Sequence, residues 1–407
     1  MACFRQWLDL QSPQVLRARG QTAVSYSDKM FSDIPLVAEI NSVWDKQWKE
    51  PFRGVTTDGT PIPHLFPDRD DELDIARLVA AADAMLATVN STERQKLMRP
   101  LGAPEQRAWS NPELYVHRFG LRLDEASEAS QGAILSLIQA TLSPEGFHKA
   151  LTATRINGFL GDLVGAPGVM NERSYNFMLF GEPSNKGPWG WSMYGHHLCL
   201  NVLLFNCQIV LSPTFTGAEP NVIDSGPFTG STLFTREETL GLRFMQQLPP
   251  HLRAKAQIFK DMHDTAMPDW RWNPADQRHL CGAFQDNRVI PYEGVCLAEL
   301  DPSFTVLLLD IVEEFHLYLT KTARQNRLKQ VLEHRDQTFF SWIGQFGDND
   351  AFYYRIQSPV IICEFDHHSG VFLSNPEPAK FHTHTIVRTP NGGDYGYALL
   401  DRWMSNN

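Results

Sequence analysis

TFFSWIGQFGDNDAFYYRIQSPVIICEFDHHSGVFLSNPEPAKFHTHTIVR, residues 338–388, reads as an antiparallel meander. Apolar and aromatic residues fill four short runs, Thr338–Gln345, Ala351–Ser358, Val360–Asp366 and Phe381–Arg388, separated by clusters of Gly, Asp, Asn, Ser and Pro. A second strand-rich block lies upstream, in Ser174–Phe180, His196–Phe205 and Gln208–Ser212, with Asn206 and Cys207 placed to turn the last two onto each other.

Between and before these blocks the period changes. Ile75, Leu78, Val79, Ala82, Leu86 and Val89 repeat at the 3–4 spacing of one buried helix face. Further helices are predicted over about Asp124–Thr141, from Ser143-Pro144-Glu145 onward, and over Thr235–Gln247, Pro250–Met262 and Pro302–Arg335, the last broken near Thr320. Strands and helices cluster separately instead of alternating, which predicts an α+β fold rather than a doubly wound parallel sheet. Residues 71–407 are expected to form one α+β domain, its helical N-terminal part packed on largely antiparallel sheet from the middle and C-terminal segments. Residues 1–70, rich in Pro, Asp and Gly around short apolar pieces, read as an irregular arm.

The 407 residues carry a formal net charge of −11 without a basic run longer than a few residues, which argues against nucleic acid or an anionic membrane as partner. The first residues, MACFRQWLDLQSP, lack the apolar stretch of a signal peptide, and no window approaches a transmembrane span. Cys3, Cys199, Cys207, Cys281, Cys296 and Cys363 are scattered without a CxxC pair, as reduced thiols of a cytoplasmic protein would be. No GxSxG, HExxH, kinase or Rossmann pattern is present.

Chemistry concentrates in the histidines. His382 and His384 stand two apart in a predicted strand, so both imidazoles leave the same face and can converge on one ion. The bland alternative is a polar edge strand facing solvent. His196 and His197 precede an apolar strand; a straight strand brings one of them to a site, whereas a turn after Gly195 brings both. His367–His368 falls at an apparent turn tip, where solvation is expected, and is left out of the site. Glu364 interrupts an apolar strand and, if buried, needs a metal or an arginine such as Arg355 or Arg388. Glu219 belongs to a Gly/Pro-containing loop. The four histidines His196, His197, His382 and His384 are the candidate metal ligands, with Glu219, Glu364 and Arg388 as candidate catalytic groups. Asp394, in Pro390-Asn-Gly-Gly-Asp-Tyr-Gly, sits where glycines allow close approach to a ligand, but the motif is no nucleotide loop. Trp189, Trp191, Tyr194, Trp342, Tyr353 and Tyr354 are either pocket lining or core.

Several stretches together resemble the uncharacterised family known as domain of unknown function 3500: Arg155-Ile-Asn-Gly, Pro188-Trp-Gly-Trp, Gly195-His-His-Leu, Pro213-Thr-Phe-Thr-Gly-Ala-Glu-Pro, Tyr353-Tyr-Arg-Ile, Cys363-Glu-Phe-Asp, and His382-Thr-His through Asp394-Tyr-Gly. The similarity spans roughly residues 70–402. It implies that His196, His197, Glu219, Glu364, His382 and His384 form one site, and the extended arm is similar to that of fungal members, which suits secondary metabolism. It implies no reaction.

A histidine-rich set fits Cu or Fe, with Zn as the alternative. Three expectations follow: an O2-using oxidoreductase with a mononuclear Cu or Fe centre acting on a small organic molecule, a zinc-dependent hydrolase or lyase that activates water on the metal, and a metal-free enzyme or small-molecule-binding protein.

Overall fold

A computed structural model of the chain describes residues 4–405. Among them, twelve strands join into a single sheet. In chain order these are β1 (Met98–Arg99), β2 (Leu121–Arg122), β3 (Tyr175–Phe180), β4 (Trp189–Gly195), β5 (Leu198–Phe205), β6 (Gln208–Ala218), β7 (Gln257–Phe259), β8 (Val295–Cys296), β9 (Phe339–Gly344), β10 (Phe352–Gln357), β11 (Ile362–His367) and β12 (Thr383–Arg388). The sheet runs β1-β3-β4-β5-β6-β12-β11-β10-β9-β7, with β2 on β3 and β8 on β9. Only β1 on β3 and β7 on β9 pair parallel. The fold is α+β: a mostly antiparallel mixed sheet with helices before and between its halves.

Two four-stranded meanders make the centre, β3 to β6 and β9 to β12. Antiparallel pairing of β6 with β12 fuses them, setting Gly217 opposite His384 and Phe215 opposite Ile386. Each strand is buried on both sides, and alternate residues feed two different cores. Cys363, Phe365 and Val387 pack with the helices Ile75–Thr88, Glu128–Thr141, Pro144–Val164, Thr235–Gln247, Pro302–Phe315 and Lys321–Glu333. Ile362 and Ile386 face the opposite way, onto Trp44, Val55, Trp109, Leu280 and Phe284. This second layer has little regular structure, so its backbone polar groups must be satisfied by side chains.

The structure corrects several expectations. The arm is not irregular throughout: Pro13–Ala18, Ala23–Asp33 and Pro35–Lys49 are helices. Pro13 and Pro35 occupy first-turn positions, where proline's missing N–H costs nothing, and Thr22 forms a capping box with Ser25. Residues 50–70 then wrap the sheet layer, where Gly54 packs so closely on Gly392 that a Cβ would lie 2.3 Å from its nitrogen. Trp189–Gly195 is a strand, and β6 continues through the presumed loop at Pro213 to Ala218. A register shift between Leu200 and Val202 absorbs the proline, and the Asn201 side-chain amide donates to the Pro213 carbonyl. The predicted helix Pro250–Met262 stops at Ala256 because the next three residues pair with the edge of β9. His367 and His368 are buried, not solvated. Asp394 is enclosed, accepting from the Thr389 amide and from Arg388, and all six named aromatics are core.

Candidate metal centre

The site forms where the two meanders meet, on the face of the sheet opposite the main helical layer. His382 precedes β12 and His384 lies within it, and their Nε2 atoms stand 3.0 Å apart. His384 Nε2 is also 3.0 Å from Nε2 of His197, 187 residues away in sequence. His196 and His197 are the two turn residues of the β4–β5 hairpin, between paired Gly195 and Leu198. His197 adopts φ 63°, a left-handed conformation that bulky residues rarely take, and this aims its ring over Gly217. Position 217 has no room for a side chain: a Cβ would sit 2.7 Å from the His197 ring and 2.8 Å from that of His384.

Three ring nitrogens at this spacing fit a cation better than a hydrogen-bond chain. An in-plane ring nitrogen carries one proton or one lone pair, so His384 Nε2 cannot make linear bonds to both neighbours. Tetrahedral ligands at about 2.05 Å from an ion lie roughly 3.3 Å apart. His382 Nδ1 lies 2.7 Å from the Ser369 carbonyl, which only accepts, so Nδ1 bears the proton and Nε2 holds the lone pair. His196 stacks on His197 with centroids 3.8 Å apart and donates from Nδ1 to Asn157 Oδ1. The Asn157 amide nitrogen is committed to Asn171 O and Ser174 Oγ, which fixes that polarity.

Two further histidines complete the cluster. The His368 ring lies 3.9 Å from that of His384 and is tilted 38° to it, and His279 joins both in a second group whose ligand atoms lie within 4.8 Å. His368 was legible, since it continues the alternation of Glu364 and Asp366 onto the same face. Nothing in the sequence around His279, a lone histidine in an irregular segment, marks it. His367 faces away, its Nδ1 accepting the Phe352 amide and its Nε2 donating to Glu238.

Burial, reinforced by the neighbouring imidazoles, pushes His197, His368 and His384 well below the ordinary histidine range and His196 down to about 3. These rings are therefore neutral at pH 7 and offer lone pairs without proton competition. Burial also disfavours the charged form of His279, but Glu364, Asp366 and Asp276 outweigh it and the net shift is upward.

The carboxylates stand behind the histidines. Glu219 accepts the backbone N–H groups of Val371, Phe372 and Leu373 and lies 3.8 Å from His382 Nδ1. It thereby holds the segment whose Ser369 carbonyl orients His382. Glu364 accepts from the amides of Leu280 and Cys281 and from the Tyr353 hydroxyl, and lies 3.7 Å from His279 Nδ1. Burial opposes its charge, but His279, Arg355 and Tyr353 prevail and hold the carboxyl at about 2. Arg388 is enclosed by Asp286, Asp394 and the carbonyls of Cys281 and Gly282, and its hydrogen bonds go to these groups rather than to a histidine. Arg355, the other suggested partner of Glu364, ion-pairs with Glu293 at 2.8 Å.

A family described as a protein of unknown function, DUF3500, matches residues 71–397. The chain belongs to the DUF3500 family. No curated protein and no solved structure matches it. In this DUF3500 chain the match contains every histidine of the cluster, and the arm before residue 71 adds a flank to it. There the Tyr26 hydroxyl and the Gln14 amide donate to Glu113, which shares a small pocket with His196. Among the described residues, no helix is long and apolar enough to cross a membrane, and Cys199, Cys207, Cys281, Cys296 and Cys363 are free thiols. Cys3 lies outside the described residues.

Proposed function

We propose that this chain is a metal-dependent enzyme in which His197, His382 and His384 hold a Cu or Fe ion that oxidises a small organic molecule with O2. The observation that carries the reading is the convergence of three Nε2 atoms, with Nδ1 of His382 held on the Ser369 carbonyl. A bound ion of this kind supplies one-electron chemistry toward O2. The chain's own residues set its surroundings: Gly217 lets the rings close in, Phe215 packs edge-on against His384, and His196 backs His197. A small pocket bordered by Ser110, Glu113 and Tyr115 reaches the back of the centre at His196.

A zinc hydrolase or lyase is the second reading, and the same ligands would serve it. It needs a carboxylate base beside the ion; Glu219 and Glu364 are committed to backbone amides, and the free oxygen of Asp366 lies against His368, which is not one of the three ligands. That observation favours redox chemistry. A cytoplasmic setting and a place in secondary metabolism belong to this proposal as well.

The test is elemental analysis of protein purified without added metal, followed by O2 consumption with a reductant. Cu or Fe, reductant-dependent O2 uptake and loss of both in His384→Ala support the oxidoreductase. Zinc at full occupancy without O2 uptake turns the reading to hydrolysis. No retained or rebound metal leaves the metal-free reading in place.

A further inference from the structure

Behind the three-histidine centre lies a second set of buried polar atoms without hydrogen-bond partners. His384 uses Nε2 toward His197 and His382, and its Nδ1 is buried without a partner. His368 Nε2 and both ring nitrogens of His279 are likewise buried and unpartnered. So is Asp366 Oδ2, which lies 3.0 Å from His368 Nε2 without the alignment of a hydrogen bond. Its other oxygen, Oδ1, accepts from Arg278 Nε at 2.7 Å, which fixes the carboxylate plane. All four side chains are at least nine-tenths buried, from 0 % exposed for Asp366 to 6 % for His384. Native interiors rarely leave one such atom unsatisfied. Here His279, His368 and His384 bring ring nitrogens within 4.8 Å of one another, with Asp366 Oδ2 against His368, and that convergence is the signature of a ligand.

We infer that the chain binds a second transition-metal ion, held by His279, His368, Asp366 and Nδ1 of His384. The donors are three imidazole nitrogens and one carboxylate oxygen, a set that suits a divalent ion such as Zn, Cu or Fe. The site deepens the metal-centre reading proposed above and rests on it for the shared residue. A neutral imidazole has one lone pair. His384 therefore serves both ions only as an imidazolate, its ring proton passing to bulk solvent as the second ion loads. Glu364 positions this half of the site: it clamps the Leu280 and Cys281 amides that follow His279 and stands 3.7 Å from the His279 ring.

The experiment uses the full chain, stripped with a chelator and reloaded with Cu(II), with metal counted by mass spectrometry and spins by EPR. The expected result is two ions per chain, one in His368→Ala and one in His382→Ala. Near-complete loss of EPR intensity should accompany the second equivalent, through coupling across His384. A wild-type stoichiometry of one that falls to zero in His382→Ala and stays at one in His368→Ala overturns the second site and leaves the first intact. A stoichiometry of zero overturns both. Two ions whose spins stay independent overturn the shared histidine. Should His368→Ala fail to fold, Asp366→Asn takes its place, with weakened binding of the second equivalent alone as the expected outcome.

Discussion

At the scale of single residues, the buried carboxylates act by holding loops. Glu364 illustrates how strongly: its carboxyl, ordinarily near 4.5, is held at about 2. A depressed acid stabilises the fold above its unfolded pKa and loses that contribution as pH falls through the folded value. The difference corresponds to roughly 3 kcal/mol at neutral pH. Glu364→Gln should therefore lower the unfolding free energy measured by urea titration at pH 7 by that order, and the gap to wild type should narrow below about pH 4.5. An unchanged gap at pH 7 would show that the backbone amides of Leu280 and Cys281 are satisfied without the charge. Glu219 holds the Val371–Leu373 segment through three backbone amides, so Glu219→Gln should perturb metal affinity through the orientation of His382.

At the scale of elements, the β4–β5 hairpin and the β6–β12 seam do the assembling. His197 is held at φ 63° in the hairpin turn, a conformation costing about 1 kcal/mol or more for a residue with a Cβ. His197→Gly relieves that cost while deleting a proposed ligand. The expected outcome is a thermal midpoint at or above that of the metal-free wild type together with loss of the first ion. A destabilised, metal-replete variant would contradict this separation of roles. Gly217→Ala tests the seam. A methyl group 2.7 Å from one ring and 2.8 Å from another must displace them, so stability should fall by about 1–3 kcal/mol and metal content with it. Retained metal at wild-type stability would exclude the close packing of the two rings on position 217.

At the scale of the molecule, burying neutral histidines makes the fold acid-sensitive well before its carboxylates titrate. His316, at the end of the helix Pro302–Phe315 with Nδ1 on the Val312 carbonyl, is pushed by burial to about 3. A histidine whose folded value lies below its unfolded value contributes stability that is complete above about pH 6.5 and is lost as pH falls below it, because the unfolded chain takes up the proton first. Each such residue should cost about 2 kcal/mol between pH 7 and pH 5. Urea titrations of the metal-free chain at both pH values should show that loss, and His316→Gln should recover one histidine's share. A pH-independent midpoint would exclude the mechanism.

The sequence by itself determined the α+β class, the two strand blocks and most helix positions, because period and capping act within a few residues. It also placed His382 and His384 on one face, since strand alternation is local. Proline misled the reading twice: at first-turn positions in the arm, where it starts helices, and at Pro213, where a bulge carries it inside a central strand. Only the tertiary structure decided which groups meet. Pairing of β6 with β12 brings His197 to His384 across 187 residues. An irregular segment delivers His279, and the acids that looked catalytic turn to backbone amides, because a layer with little regular structure must find its hydrogen bonds in side chains. His382 and His384 begin as a strand pair; the fold makes them the shared wall of a six-histidine cluster.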